Sequence, residues 1–162
     1  ARLGNQPLTM APLPLDDVLK AALATVQPQC LGRAIDWSIG PMPEINGHAG
    51  LLQQAFANLL GNAIKYTSAR EQAHISVTAQ ALPHGGHHIV FADNGAGFDP
   101  KQADQLFKPF RRLHTADEFV GEGMGLANVR RIVERHGGTV VARGRLGEGA
   151  SFTIALPPPP AG

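Results

Sequence analysis

Cysteine is almost missing from these 162 residues: the single thiol, Cys30, permits no internal disulfide and fits a reducing compartment. Apart from Arg33 it has no basic neighbour to favour a thiolate, so it reads as buried filler rather than a nucleophile. Long apolar runs are missing as well. No stretch approaches the roughly 18 uninterrupted apolar residues that a membrane span needs, and the start, Ala1-Arg2-Leu3-Gly4-Asn5, lacks the apolar block of a signal peptide. The chain therefore reads as cytoplasmic, with no direct membrane insertion. An excess of one charge is the third absence. The formal net charge is +1 and most basic residues are scattered, which argues against a general nucleic-acid surface.

What is present is one soluble globular domain's worth of material, 43% hydrophobic and 17% charged, long enough to bury a core. Residues 1–14 carry Gly4, Pro7, Pro12 and Pro14 and read as a linker or an edge segment. The domain proper is expected over 15–156, and the Pro-rich residues 157–162 read as a disordered tail. Asp16-Asp17 ahead of Val18, Leu19, Ala22, Leu23 and Val26 marks a first helix with acidic groups at the favourable end of its dipole. Residues 34–39 alternate as a strand does, and Pro41 and Pro43 confine the next segment to a short edge piece near Ile45.

From Gly47 to Tyr66 the set Leu51, Leu52, Ala55, Phe56, Leu59, Leu60, Ala63 and Ile64 repeats at the helical period and predicts a central helix. Residues 74–82 and 87–92 alternate around Pro83-His84-Gly85-Gly86 and predict an antiparallel hairpin. The glycine-punctuated stretch 93–125 holds one short helical piece near 102–106; irregular regions of that length in a compact domain are usually functional or mobile. A helix over 126–135, stopped by Gly137-Gly138, and strands at 139–143 and 151–156 complete the chain. The expected fold is α/β: a two-layer sandwich with a mixed, mostly antiparallel sheet packed on helices.

Three segments carry chemistry. Asn58, Asn62, Lys65 and Tyr66 are spaced by three and four residues and share one face of the central helix, opposite its Leu and Phe stripe. Two amides, an ammonium and a phenol together suit a metal, its phosphates and a flat base, since amide oxygens are hard ligands for Mg²⁺; from spacing alone an ordinary solvent face is the better account. Asp93-Asn94-Gly95-Ala96-Gly97-Phe98 places a carboxylate at a strand end, where it can accept from an exocyclic amine, although a routine Asx turn has the same composition. Gly121-Glu122-Gly123-Met124-Gly125-Leu126 leads into a helix whose N-terminal N–H groups favour phosphate. It lacks the Lys-Ser/Thr ending of a P-loop and follows no parallel strand. The pairs Arg111-Arg112 and Arg130-Arg131 lie near these glycines and suit polyphosphate, though either alone reads as solvated surface.

Taken in order, the segments resemble the boxes of histidine-kinase ATPase domains. Asn58-Leu59-Leu60-Gly61-Asn62-Ala63-Ile64-Lys65-Tyr66-Thr67 resembles the asparagine box and Asp93 to Phe98 the first glycine box. Leu106-Phe107-Lys108-Pro109-Phe110 is similar to the phenylalanine box, Gly121 to Leu126 to the second glycine box, and Gly147-Glu148-Gly149-Ala150-Ser151-Phe152 to the closing strand entry. Phe110-Arg111-Arg112-Leu113-His114 and residues 129–138 further resemble bacteriophytochrome-type sensor kinases. The resemblance implies ATP and Mg²⁺ as ligands, with Asn62 on the metal and Asn58 supporting its waters or the phosphates. It implies Lys65 on phosphate, Tyr66 beside the base or ribose, Asp93 on the adenine amine, and Gly95 and Gly97 shaping the base pocket. Arg111 and Arg112 would begin a mobile ATP lid hinged at Gly121, Gly123 and Gly125 ahead of Leu126. Thr153 would add a water-mediated bond near Asp93, and Phe107 and Phe110 would anchor the lid.

Glu122 and Met124 depart from the family pattern; an acidic Glu122 near phosphates would weaken binding, while Met124 would change little. The implied activity is γ-phosphate donation to a histidine on a separate dimerisation and phosphoacceptor domain, with a response regulator downstream. That histidine is not in this chain. His48, His74 and His136 read as surface or capping residues, His114 falls in the lid, and His84, His87 and His88 read as a solvated hairpin tip rather than a metal site. Gyrase-, Hsp90- and mismatch-repair-type ATPases need a glutamate base where this chain has Asn58, which cannot take a proton from water. The alternative is a nucleotide-binding regulatory module whose net output is response-regulator phosphatase.

Overall fold

The computed structural model describes residues 8–108 and 125–158. The apolar periods of the sequence become two layers, because each helix has one stripe to bury and the sheet one face to receive it. Strand β1 (Ala11–Pro14) pairs antiparallel with β3 (Glu44–Gly47) in a small two-stranded sheet. Helix α1 (Leu15–Val26) follows β1 directly, with Leu15, Val18, Leu19, Ala22 and Val26 buried. Asp16 in its first turn accepts from the Met42 amide at 3.3 Å and so ties the helix start to the chain entering β3. A 3-10 turn, Gln27–Cys30, leads to β2 (Ile35–Ile39).

The central helix α2 spans Ala49–Tyr66. It begins later than the apolar period suggests, because Gly47 closes β3 and His48 is the cap, its Nδ1 accepting from the Leu51 amide. Strands β4 (Ala73–Ala81) and β5 (His87–Asp93) form the expected hairpin, and β6 (Thr139–Arg145) and β7 (Gly149–Leu156) a second one. The large sheet has the order β2-β4-β5-β7-β6. Among the described strands only the β2–β4 pair is parallel, since β3 and α2 intervene between those two. A 3-10 helix, Pro100–Phe107, and helix α3 (Gly125–Arg135) complete the elements.

Ile75, Val77, Ile89, Phe91, Phe152, Ile154 and Leu156 from the sheet meet Leu52, Phe56, Leu59 and Leu60 of α2 and Val129, Ile132 and Val133 of α3 in one core. Phe56 meets Phe91 edge-on, with ring centroids 5.1 Å apart. The other sheet face carries Asp36, Ser38, His74 and Thr78 and is exposed.

His136, expected as a surface or capping residue, is buried and braces α2 against α3. Its Nδ1–H donates to the Ile132 carbonyl at 2.8 Å and its Nε2 accepts from the His48 amide at 3.0 Å. Those partners require the neutral ring, since a backbone N–H cannot accept and a carbonyl cannot donate. Burial, with His48 and Arg135 acting in the same direction, holds the His136 pKa below its ordinary value of 6.5. The unfolded chain therefore takes up the proton first, and the stability this residue contributes is present above pH 6.5 and declines as pH falls below it. His136→Leu, which strands the His48 amide, is expected to cost about 1–3 kcal/mol at pH 7.5. Urea unfolding of both proteins at pH 7.5 and pH 5.5 checks this, and the gap between them should shrink at the lower pH.

Candidate functional site

Helix α2 presents Asn58, Gly61, Asn62 and Lys65 along the edge it turns away from the core, as the three- and four-residue spacing requires. Together with Gln29, Ala57 and Gly125 they line one open cleft of about 220 Å³. Helix α3 starts against this cleft: the Asn58 side-chain amide donates to the Gly125 carbonyl at 3.3 Å. The first described turn of α3 thus stands beside two side-chain amides and an ammonium. Leu126, in the same turn, is buried and anchors the helix in the core. Lys65 Nζ lies 6.0 Å from the centroid of the Tyr66 ring.

The second part of the site is the loop after β5. Asp93 continues the Ile89 and Phe91 face, which packs toward α2, and its Oδ1 accepts from the Gly95 amide at 2.8 Å. Burial pushes the Asp93 carboxyl up from 3.8 to about 6, while the bonds from the Gly95 and Ala150 amides work against that rise. A desolvated carboxylate with remaining acceptor capacity is suited to an N–H donor from a ligand. Gly95 packs on the last carbonyl of α2, and a Cβ there would collide with the Tyr66 oxygen. Gly97 has φ +66° and no room for a side chain beside the Arg145 carbonyl. The Ala96 amide donates to the Tyr66 carbonyl at 2.9 Å and joins the loop after β5 to the end of α2.

Of the residues singled out in the sequence, Asn58, Asn62, Lys65 and Gly125 come together in the cleft, and Tyr66, Asp93, Gly95 and Gly97 cluster at the junction beside it. Arg111, Arg112, Gly121 and Gly123 lie outside the described residues, as do Phe110, His114, Glu122 and Met124. Thr153 is a correction. It stands opposite Val90 and Val141, three registers from the Asp93–Ala150 pair and on the alternate face from Phe152 and Ile154, so it does not approach the Asp93 carboxylate. Arg130, exposed, pairs with Glu134 at 3.5 Å and lies 5.8 Å over the Phe107 ring. Phe107 itself is buried against Phe152. Gln29 and Arg70 are the residues that sequence reading passed over. A glutamine in a short turn and a lone arginine after a helix carry no spacing signal.

Comparison with known proteins gives the same outline. The sequence profile described as "Histidine kinase-, DNA gyrase B-, and HSP90-like ATPase" matches residues 47–160. Cyanobacterial phytochrome A of Nostoc sp. is 34% identical over 157 residues, 97% of this chain and 20% of that protein. The chain spans about a fifth of the length of this relative and of Phytochrome-like protein Cph1 of Synechocystis sp.. Among solved structures, full-length ShkA in complex with AMPPNP is 33% identical with a TM-score of 0.80, covering 99% of this chain and 34% of ShkA. The mycobacterial sensor histidine kinase MprB has a TM-score of 0.78 at 24% identity, covering 94% of this chain and all of that one, and shows the shared fold.

Proposed function

The chain belongs to the histidine kinase-, DNA gyrase B- and HSP90-like ATPase family, and we propose that it is the ATP-binding catalytic domain of a sensor histidine kinase. In this reading it binds Mg-ATP and donates the γ-phosphate to a histidine on a separate dimerisation and phosphoacceptor domain, which then serves a response regulator. The observation that carries it is the convergence of Asn58, Asn62, Lys65 and the start of α3 on one cleft, joined by the Tyr66 carbonyl to the loop that follows the half-buried Asp93.

Each end suits one part of the nucleotide. The Asp93 carboxylate accepts from an exocyclic amine, which selects adenine over guanine because guanine presents a carbonyl there. Lys65 and the α3 amides suit the phosphates. The side-chain amide oxygen of Asn62, supported by Asn58, suits Mg²⁺, which would supply charge neutralisation on the phosphates. Transfer breaks the bond from the γ-phosphorus to the bridging oxygen, forms a bond to the acceptor imidazole nitrogen and releases ADP. The protein's contribution is positioning and electrostatics. Asn58 stands where a hydrolytic relative needs a base, so the isolated chain is expected to hydrolyse ATP negligibly. Among the described residues no helix is long and apolar enough to cross a membrane; we place the domain in the cytoplasm, where ATP is supplied. Nothing in the cleft favours the regulatory-module alternative.

The test mixes the chain with γ-labelled ATP, Mg²⁺ and a separate dimeric phosphoacceptor domain. Label on the acceptor histidine is expected. Absence of transfer while calorimetry shows nucleotide saturation would overturn the kinase reading and leave the binding reading standing.

A further inference from the structure

Helix α2 ends in a dense set of caps. The Thr67 hydroxyl is buried and donates toward the Ala63 and Ile64 carbonyls, while Arg33 donates to the Ile64 carbonyl at 2.7 Å and to Thr67 Oγ1 at 2.9 Å. The chain then turns, with the Arg70 amide on the Thr67 carbonyl at 2.9 Å. That turn carries the Arg70 guanidinium to a point where three backbone carbonyls converge. Its Nε donates to the Asn94 oxygen at 2.8 Å, and its Nη2 donates to the Gly95 oxygen at 3.1 Å and the Gly147 oxygen at 2.5 Å.

We propose that Arg70 is a positioning residue for adenine recognition: its guanidinium clamps the loop after Asp93 between the end of α2 and the β6–β7 turn, and thereby aims the Asp93 carboxylate. The inference rests on the reading of Asp93 as the adenine acceptor. Three carbonyl dipoles pointing at one spot repel one another, and a planar cation with several fixed donors is the group that reconciles them. The clamped residues are also those that orient the carboxylate. Gly95, whose carbonyl Arg70 holds, donates its own amide to Asp93 Oδ1. Ala96 bonds the Tyr66 carbonyl through its amide and the Gly147 amide through its oxygen, at 2.9 and 2.7 Å. Asn94 fixes the other side, its side chain accepting from the His74 amide at 2.8 Å and donating to the Gln72 carbonyl at 3.1 Å.

Without the guanidinium the loop samples other arrangements, and apparent affinity falls by the fraction of time the competent one is populated. If that fraction drops to about one-tenth, the Kd for an adenine nucleotide rises about tenfold. Lysine, a point charge on a flexible stem, cannot bridge three carbonyls and should recover only part of the loss.

The test titrates AMPPNP and, separately, inosine triphosphate into the 162-residue chain carrying wild-type Arg70, Arg70→Ala or Arg70→Lys, and follows amide exchange. Expected results are an AMPPNP Kd raised about tenfold by Arg70→Ala and less by Arg70→Lys. The preference for the adenine nucleotide over the inosine one, which lacks the amine, should shrink. Exchange should accelerate at Gly95 and Ala96 with the α2 core amides unchanged. An AMPPNP Kd within about twofold of wild type, or a loss of thermal stability with both affinities intact, would overturn the inference. Should Arg70→Ala fail to fold, Arg70→Lys gives the same comparison. Failure of the wild-type chain itself to bind AMPPNP would count against the adenine reading and with it the role given to Arg70. Normal wild-type binding with no response to Arg70 substitution would sink the clamp alone.

Discussion

Asn62→Ala is expected to cut γ-phosphate transfer to a separate phosphoacceptor domain by about 10²–10³-fold, the usual cost of removing one preorganised polar group from charge that develops in a reaction. Asn62 sits on the cleft side of α2, one turn after Asn58 and one before Lys65 and Tyr66, so its amide is held by a helix rather than by a loop. Alanine is the better helix former, and the position is only half-buried, so the fold should not suffer. Asn62→Asp is the informative companion. A carboxylate keeps a hard oxygen for Mg²⁺ but adds a negative charge beside the phosphates, so transfer should remain impaired and respond more steeply to Mg²⁺ concentration. Single-turnover transfer at saturating ATP measures the chemical step. Transfer within threefold of wild type in Asn62→Ala, under the same Mg²⁺, would remove Asn62 from the site.

How much of this was legible in the sequence depends on whether the signal was periodic. The stripe from Leu52 to Ile64 and the alternation in β4 and β5 are repeated choices, and the helix and hairpin they imply are present within a few residues of the expected ends. Ends are set by single contacts instead. Gly47 continues the expected helix by position, yet the start is decided by the His48 ring, which caps α2 and simultaneously holds out its amide to His136. That second bond spans 88 positions and no local pattern could disclose it. The same holds for His136, which reads in the sequence as a surface or capping residue and which tertiary pairing buries.

The site divides along the same line. Asn58, Asn62 and Lys65 share a face because helical spacing makes them share it, so the cleft wall could be drawn from the sequence. Thr153 failed for a reason equally simple: it has the opposite parity to Phe152 and Ile154, and parity on a strand decides the face. Which strands are neighbours fixes the rest, because pairing β7 with β5 sets Val90, not Asp93, opposite Thr153. Arg70 could not be read at all, since its three acceptors are backbone oxygens from two distant loops and backbone oxygens have no sequence signature.

Asp93→Asn should separate binding from stability. Removing a hydrogen bond to a charged group typically costs 1.5–3 kcal/mol, so the Kd for ATP is expected to rise roughly 10–150-fold. The folded protein should nevertheless gain stability at pH 8. Burial raises the Asp93 carboxyl from 3.8 to about 6, so the folded state holds this proton more tightly than the unfolded one. The stability linked to that proton is complete below pH 3.8 and is lost as pH rises through about 6. At pH 8 the desolvated charge therefore costs at most about 3 kcal/mol, by 1.36 kcal/mol per unit, and the neutral amide escapes that cost. That cost fits the binding role proposed for Asp93, the usual exchange of stability for function at a site. The same linkage sets the pH dependence of binding. In the proposed reading the ionised form accepts from the adenine amine, so the wild-type Kd should be flat above pH 7 and climb as pH falls below about 6, with Asp93→Asn showing no such climb. The nucleotide's own phosphate titration is common to both proteins and cancels in their ratio. Calorimetric Kd values at half-unit steps from pH 5.5 to pH 8, with urea unfolding of the same samples, check both halves. A ratio independent of pH would show that Asp93 is a turn residue and not the acceptor of the base, whereas a variant less stable than wild type at pH 8 would show that its bonds from the Gly95 and Ala150 amides outweigh the cost of its desolvated charge.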